Sequence, residues 1–105
     1  MAVTVRESDG TELEELLNKK TGKVLVDFYS STCGPCKMLG YVLNDVAKDV
    51  HDIEILKLDF DLNQEVVKKY GVEGYPTLIL FNQGQETQRL KGLQQKPLLI
   101  NMINS

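Results

Sequence analysis

The segment KVLVDFY, Lys23 to Tyr29, is nearly continuous in apolarity and rich in β-branched and aromatic residues. Such a run fits a central strand covered on both faces, because a strand with one wet face alternates apolar and polar residues. EILKLDFD, Glu54 to Asp61, reads as a second central strand. Between the two, Leu39, Val42, Leu43, Val46, Ala47 and Val50 recur at helical spacing and predict a long amphipathic helix from Cys36 onward. A chain of this kind must lay helices on a sheet.

The remaining segments fit that plan. VTV, Val3 to Val5, is a plausible edge strand, and TELEELLNKK carries Leu13, Leu16 and Leu17 on one helix face, with Thr11 and Glu14 spaced as a capping box. Val66, Val67 and Tyr70 mark a short helix after Asn63. TLILF, then NQGQ, then ETQRLKGL read as strand, glycine-containing hairpin turn and edge strand. Leu98, Leu99, Met102 and Ile103 share a face of a last helix that admits Pro97 in its first turn. The expectation is an α/β fold with a mixed sheet, in one domain spanning residues 1–105. A chain of 105 residues buries roughly 60 to 70% of its unfolded surface and needs no covalent staple.

That leaves both cysteines free for chemistry. The pair lies in STCGPCKML as Cys33 and Cys36, separated by Gly34 and Pro35, at the start of the long helix. A cysteine placed there faces unpaired backbone N–H groups and the positive end of the helix dipole, which favour thiolate over thiol. Cys33 is therefore the candidate nucleophile, and Cys36, about one turn further in, can attack the mixed disulfide that results. Lys37 either adds positive charge or is a solvated helix lysine. Gly34 keeps the approach free of bulk, and Pro35 stiffens the loop.

Other uses of the pair fare worse. Covalent haem attachment wants histidine directly after the second cysteine, and Lys37 stands there. Structural zinc needs four ligands, and the chain adds only His51, which reads as a solvated loop residue, so no metal is expected. Asp59, Asp61 and Asn63 alternate like the start of a calcium loop, but Gln64 and Tyr70 replace the required glycine and glutamate; they read as a strand end and a helix cap. A net charge of −3, with 26% charged residues and no basic block, argues against nucleic acid and anionic membranes as partners. MAVTVRESDG has no apolar signal core and no apolar run is long enough to span a bilayer, so a cytoplasmic location is expected. In that reducing compartment two lone cysteines are catalytic or metal-binding before they are structural.

In order and spacing, VLVDFY, CGPCKM, LKLDFD, KYGVEGYPTLILFNQG and the KG before the last helix resemble the thioredoxin family over nearly the whole chain. The resemblance implies a central mixed sheet of four to five strands flanked by four helices, and reduction of protein disulfides as the activity. It also gives Asp27 a part: the carboxylate would lie beneath Cys36 and move protons to or from it, with Lys57 as neighbour. An unpaired charge in an apolar strand costs several kcal/mol, so Asp27 should be protonated, paired or useful. Pro76 would follow a cis peptide, Tyr75 would pair its backbone with an extended substrate, and Gly74 and Gly92 would line that groove.

Two departures stand out. Thr32 occupies the place of a usual tryptophan, which alters the shelf beside Cys33, and Gly40 replaces a usual kinking proline, which permits a bend without enforcing it. Neither touches the dithiol. No G-x-G-x-x-G fingerprint for a flavin or nicotinamide is present, so no cofactor is expected and a separate reductase must restore the dithiol. The expected partners are disulfide-containing proteins and that reductase, met by a monomer. An oxidant or isomerase on the same fold, or a binding or regulatory subunit with an incidental dithiol, are the alternative readings.

Overall fold

In the computed structural model, which describes residues 3–105, the elements run β1 (Val5–Glu7), α1 (Gly10–Lys19), β2 (Lys23–Tyr29), α2 (Gly34–Ala47), β3 (Ile53–Asp59), α3 (Gln64–Lys69), β4 (Thr77–Asn82), β5 (Gln85–Lys91) and α4 (Lys96–Asn104). Residues 1 and 2 of the expected domain lie outside the described residues. The strands form one sheet in the order β1-β3-β2-β4-β5. β1 and β2 pair parallel with β3, while β4 runs antiparallel to β2 and to β5. This is the mixed α/β architecture expected.

Alternation along β2 divides the core between the two faces of the sheet. Leu25 joins Leu39, Leu43 and Val46 of α2 and Leu99, Met102 and Ile103 of α4 in one cluster. Val24, Val26 and Phe28 join Leu13 and Leu17 of α1 and Val66 and Val67 of α3 in the other. Asp27 shares parity with Leu25 and therefore faces the α2 and α4 layer. Helices cover both faces because β2 is apolar on both.

Several boundaries differ from expectation for visible physical reasons. β1 starts at Val5 instead of ending there, since its register with β3 runs from Val5–Ile55 to Glu7–Lys57. Helix α1 is capped by Asp9, whose Oδ1 accepts from the Glu12 N–H at 2.9 Å, not by the Thr11/Glu14 box. Glu14 instead accepts from Lys69 Nζ and the Tyr70 hydroxyl, which ties α1 to the end of α3. Asn63 begins α3 without capping it through its side chain: that side chain joins the Asp59 carbonyl to the Gly10 N–H. Asp59 Oδ1 accepts from the Asp61 and Leu62 N–H groups, an acidic strand end closing a turn. α2 stops at Ala47, yet Val50 beyond it is still buried. Leu98 is 46% exposed and does not share the buried face of α4.

The β4–β5 hairpin turns on Gln83 (φ 53°) and Gly84 (φ 83°), the two-residue left-handed pattern whose twist matches the strands. A Cβ on Gly84 would stand 2.6 Å from the Leu17 carbonyl oxygen at the end of α1. Strain and collision add at this one position. Gly84→Ala is expected to lose about 2 kcal/mol and to lower the thermal midpoint by about 10 °C; an unchanged melting curve would refute the close approach.

Candidate functional site

β2 delivers the chain at Tyr29 into Ser30, Ser31 and Thr32, and Ser30 fastens the turn. Its carbonyl accepts from the Cys33 N–H at 3.3 Å, and its hydroxyl accepts from the Thr32 N–H at 3.3 Å. Cys33 then takes the extended N-cap conformation of α2 (φ −108°, ψ 116°), and its sulfur accepts from the Cys36 N–H at 3.1 Å. Pro35 sits in the first turn, where a missing N–H costs nothing. The two cysteines are joined as a disulfide with Cα atoms 5.2 Å apart.

Accessibility separates the two sulfurs. Cys36 is 2% exposed whereas Cys33 is only half-buried. A reduced Cys33 would keep its thiolate at the cap, where a backbone N–H and the helix dipole stabilise negative charge. The arrangement can open and close one disulfide using a reachable sulfur and a sheltered one. Among the described residues no cluster of His, Cys, Asp or Glu is arranged to hold a metal ion, and His51 is a surface residue beside Asp52.

The sheet beneath α2 carries a row of charge. Register places Glu7 of β1, Lys57 of β3 and Asp27 of β2 side by side. Asp27 is fully buried, and both of its carboxylate oxygens lack a hydrogen-bond partner among the described residues. Burial pushes its pKa up to about 7, against the opposing pull of Lys57 and with a further rise from Glu7. Lys57 Nζ lies 4.5 Å from the centre of the Tyr29 ring and 3.6 Å from where a Cβ on Gly40 would stand. The Tyr29 hydroxyl donates to Glu7 at 2.7 Å, and burial together with that carboxylate raises its pKa. Glu7 was not legible as part of the site, since strand register alone brings it beside Lys57.

Not every expected residue meets at one surface. Thr32, Cys33, Gly34, Cys36, Lys37 and Lys57 line a single depression of about 370 Å³ together with Tyr29, Ser30 and Ser31. Gly74, Tyr75, Pro76 and Gly92 lie outside its lining and are tied to one another. The Tyr75–Pro76 peptide is cis, and the Gly92 N–H donates to the Pro76 carbonyl at 2.8 Å. The Thr77 hydroxyl donates to the Gly74 carbonyl at 2.7 Å, and the half-exposed Tyr75 ring meets Phe60 edge-on at 5.3 Å. Nothing lies within 4 Å of a Cβ placed on Gly74 or Gly92.

Known proteins are similar to this chain in sequence and in fold. The family model described as Thioredoxin matches residues 4–105. The thioredoxin of Chlamydia muridarum is 45% identical over 84 residues, covering 80% of this chain and 82% of that protein. That of Rickettsia bellii is 39% identical over 93 residues, covering 88% and 89%. A mutant thioredoxin from Halobacterium salinarum superposes with a TM-score of 0.88 at 36% identity, covering 99% of this chain and 93% of that one.

Proposed function

The chain belongs to the thioredoxin family and is a thiol-disulfide oxidoreductase that reduces protein disulfides; we propose that Cys33 is its nucleophile and Cys36 its resolving thiol. The observation that carries the assignment is the contrast in burial, with Cys33 half-buried at the helix cap and Cys36 2% exposed behind it. The Cys33 thiolate attacks a substrate disulfide, forms a mixed disulfide and releases one substrate thiol. Cys36 then attacks Cys33, releasing the second thiol and closing the intramolecular disulfide.

Asp27 takes the proton of Cys36 as it attacks. Its parity toward α2, its lack of hydrogen-bond partners among the described residues and a pKa raised to about 7 support that role, because a base poised near neutrality can both accept and return a proton. Lys57 modulates Asp27 from the adjacent strand. Gly74, Tyr75, Pro76 and Gly92 offer an extended substrate a docking edge in which main-chain hydrogen bonds dominate, and this accounts for broad acceptance of targets.

The protein acts as a monomer in the cytoplasm, recycled by a separate reductase. Supporting that location, both cysteines of the chain belong to the redox pair, as suits a reducing compartment. The decisive measurement is the reduction potential of the Cys33/Cys36 couple, by titration in a dithiol buffer with trapping of free thiols. The expected value lies near the thioredoxin reference of about −270 mV; one near the isomerase reference of about −180 mV would replace the reductase with an oxidant or isomerase.

A further inference from the structure

Among the described residues Lys57 makes no ion pair, although carboxylates flank it on both sides. Register sets Asp27 of β2 and Glu7 of β1 beside it, with all three on one face of the sheet. Adjacent strands lie about 4.8 Å apart, well within reach of lysine's flexible stem. The ammonium nevertheless lies 4.5 Å from the centre of the Tyr29 ring, inside the roughly 6 Å over which a ring face attracts a cation. Tyr29 shares the face of Asp27, and its hydroxyl donates to Glu7 at 2.7 Å. Burial first, and then that carboxylate, raise the pKa of the phenol, so it remains a donor where Asp27 titrates. Since β3 lies between β2 and β1, the Tyr29 side chain spans the strand that carries Lys57 and is tied at its far end.

We propose that Tyr29, anchored by Glu7, is a positioning residue for the resolving step: its ring holds the Lys57 ammonium and keeps it out of an ion pair with Asp27. The inference rests on the proton relay from Cys36 to Asp27 and adds the device that leaves the base unpaired. A carboxylate that gains an opposite charge within about 4–6 Å loses about one to three pKa units, and it then takes a proton from a thiol less readily. Both oxygens of Asp27 are buried without a hydrogen-bond partner among the described residues, a cost that pairing with the neighbouring ammonium would relieve. The ring competes for that ammonium, and Tyr29 itself exchanges no proton. The other elements around Asp27 leave the competition to these groups. β4 sets Leu78 beside it, α4 adds Leu99 and Met102 to the layer, and Cys36 of α2 is locked in the disulfide. Lys37 of α2 joins Lys57 in lining the depression, and Asp59 of β3 acts on Tyr29. The charges that act on Asp27 are Lys57 and Glu7.

The test follows the Asp27 carboxyl carbon by NMR in the oxidised full chain, where neither cysteine titrates, with Asp27→Asn to assign the resonance. The wild-type midpoint should lie near pH 7. Tyr29→Leu should lower it by about one unit, Tyr29→Phe, which keeps the ring but loses Glu7, should lower it by less, and Tyr29→Trp, which restores a ring face, should return it to the wild-type value. In a Lys57→Met background Tyr29→Leu should no longer lower the midpoint. A midpoint unmoved by Tyr29→Leu overturns the inference, and so does an equal fall with and without Lys57, which would trace the effect to solvent reaching the carboxyl. Single-turnover reduction of insulin separates this failure from that of the relay. The resolving step at pH 7 should slow about threefold in Tyr29→Leu and at least about tenfold in Asp27→Asn. Wild-type resolution by Asp27→Asn overturns the relay and the inference together; a slow Asp27→Asn beside an unmoved Tyr29→Leu midpoint overturns the inference alone.

Discussion

Cys33→Ser is expected to lower the rate of protein disulfide reduction by more than about a thousandfold, whereas Cys36→Ser accumulates as a covalent adduct with its substrate. The asymmetry follows from burial. The half-buried cap sulfur of Cys33 is reachable and its anion is stabilised by the Cys36 N–H. A serine hydroxyl in its place neither ionises near neutral pH nor forms a disulfide. Cys36 is 2% exposed, so a bulky substrate cannot reach it and its partner is the sulfur beside it. Without Cys36 the first attack still proceeds and the second has no thiol, which stalls the reaction at the mixed disulfide. Mass spectrometry of each variant after incubation with a disulfide-bonded protein reads the outcome directly. Trapping by Cys33→Ser, with Cys36→Ser inert and free of adduct, would reverse the two roles. Full biological function in the double serine variant would mark the dithiol as incidental and turn attention to the binding-subunit alternative.

What could be read from the residues alone divides along a physical line. β2 matched its expected span because KVLVDFY is apolar on both faces, a pattern that one residue of slippage would not hide. The dithiol was legible for a similar reason, since its chemistry lies in adjacent residues and the helix they begin. Helix ends were less legible: Asp9 outcompeted Thr11 as the cap, and the Glu14 carboxylate went to Lys69 and Tyr70, partners more than fifty residues distant. The row of Glu7, Lys57 and Asp27 depends on the register of three strands, and the cation-lined depression depends on bringing Lys57 to a loop that follows a different strand. Local pattern specifies elements; long-range pairing specifies which charges meet.

Asp27→Ala is expected to make the oxidised protein more stable at pH 8, by about 2–4 kcal/mol, while slowing the resolving step. The folded protein holds this carboxyl fully buried with no hydrogen-bond partner among the described residues, which raises its pKa from 3.8 to about 7. Below about pH 4 both folded and unfolded chains carry the proton and the site imposes no electrostatic cost. Between about 4 and 7 the unfolded chain has released its proton and the folded one has not, so stability falls as pH rises. Above about 7 both are ionised and the loss is complete; a shift of about three units corresponds to about 4 kcal/mol. Truncation to alanine removes that cost and leaves a small cavity worth about 1 kcal/mol against it. Urea unfolding of both proteins across pH 4 to 8, with the disulfide intact, should show the variant slightly less stable than the wild type near pH 4, by up to about 1 kcal/mol, and more stable than it by pH 8. Lys57→Met should move the wild-type inflection to higher pH, because the ammonium opposes the rise. Curves that stay parallel would mean that Asp27 is neutral or paired throughout, and the proton it is assigned to carry for Cys36 would have to come from elsewhere.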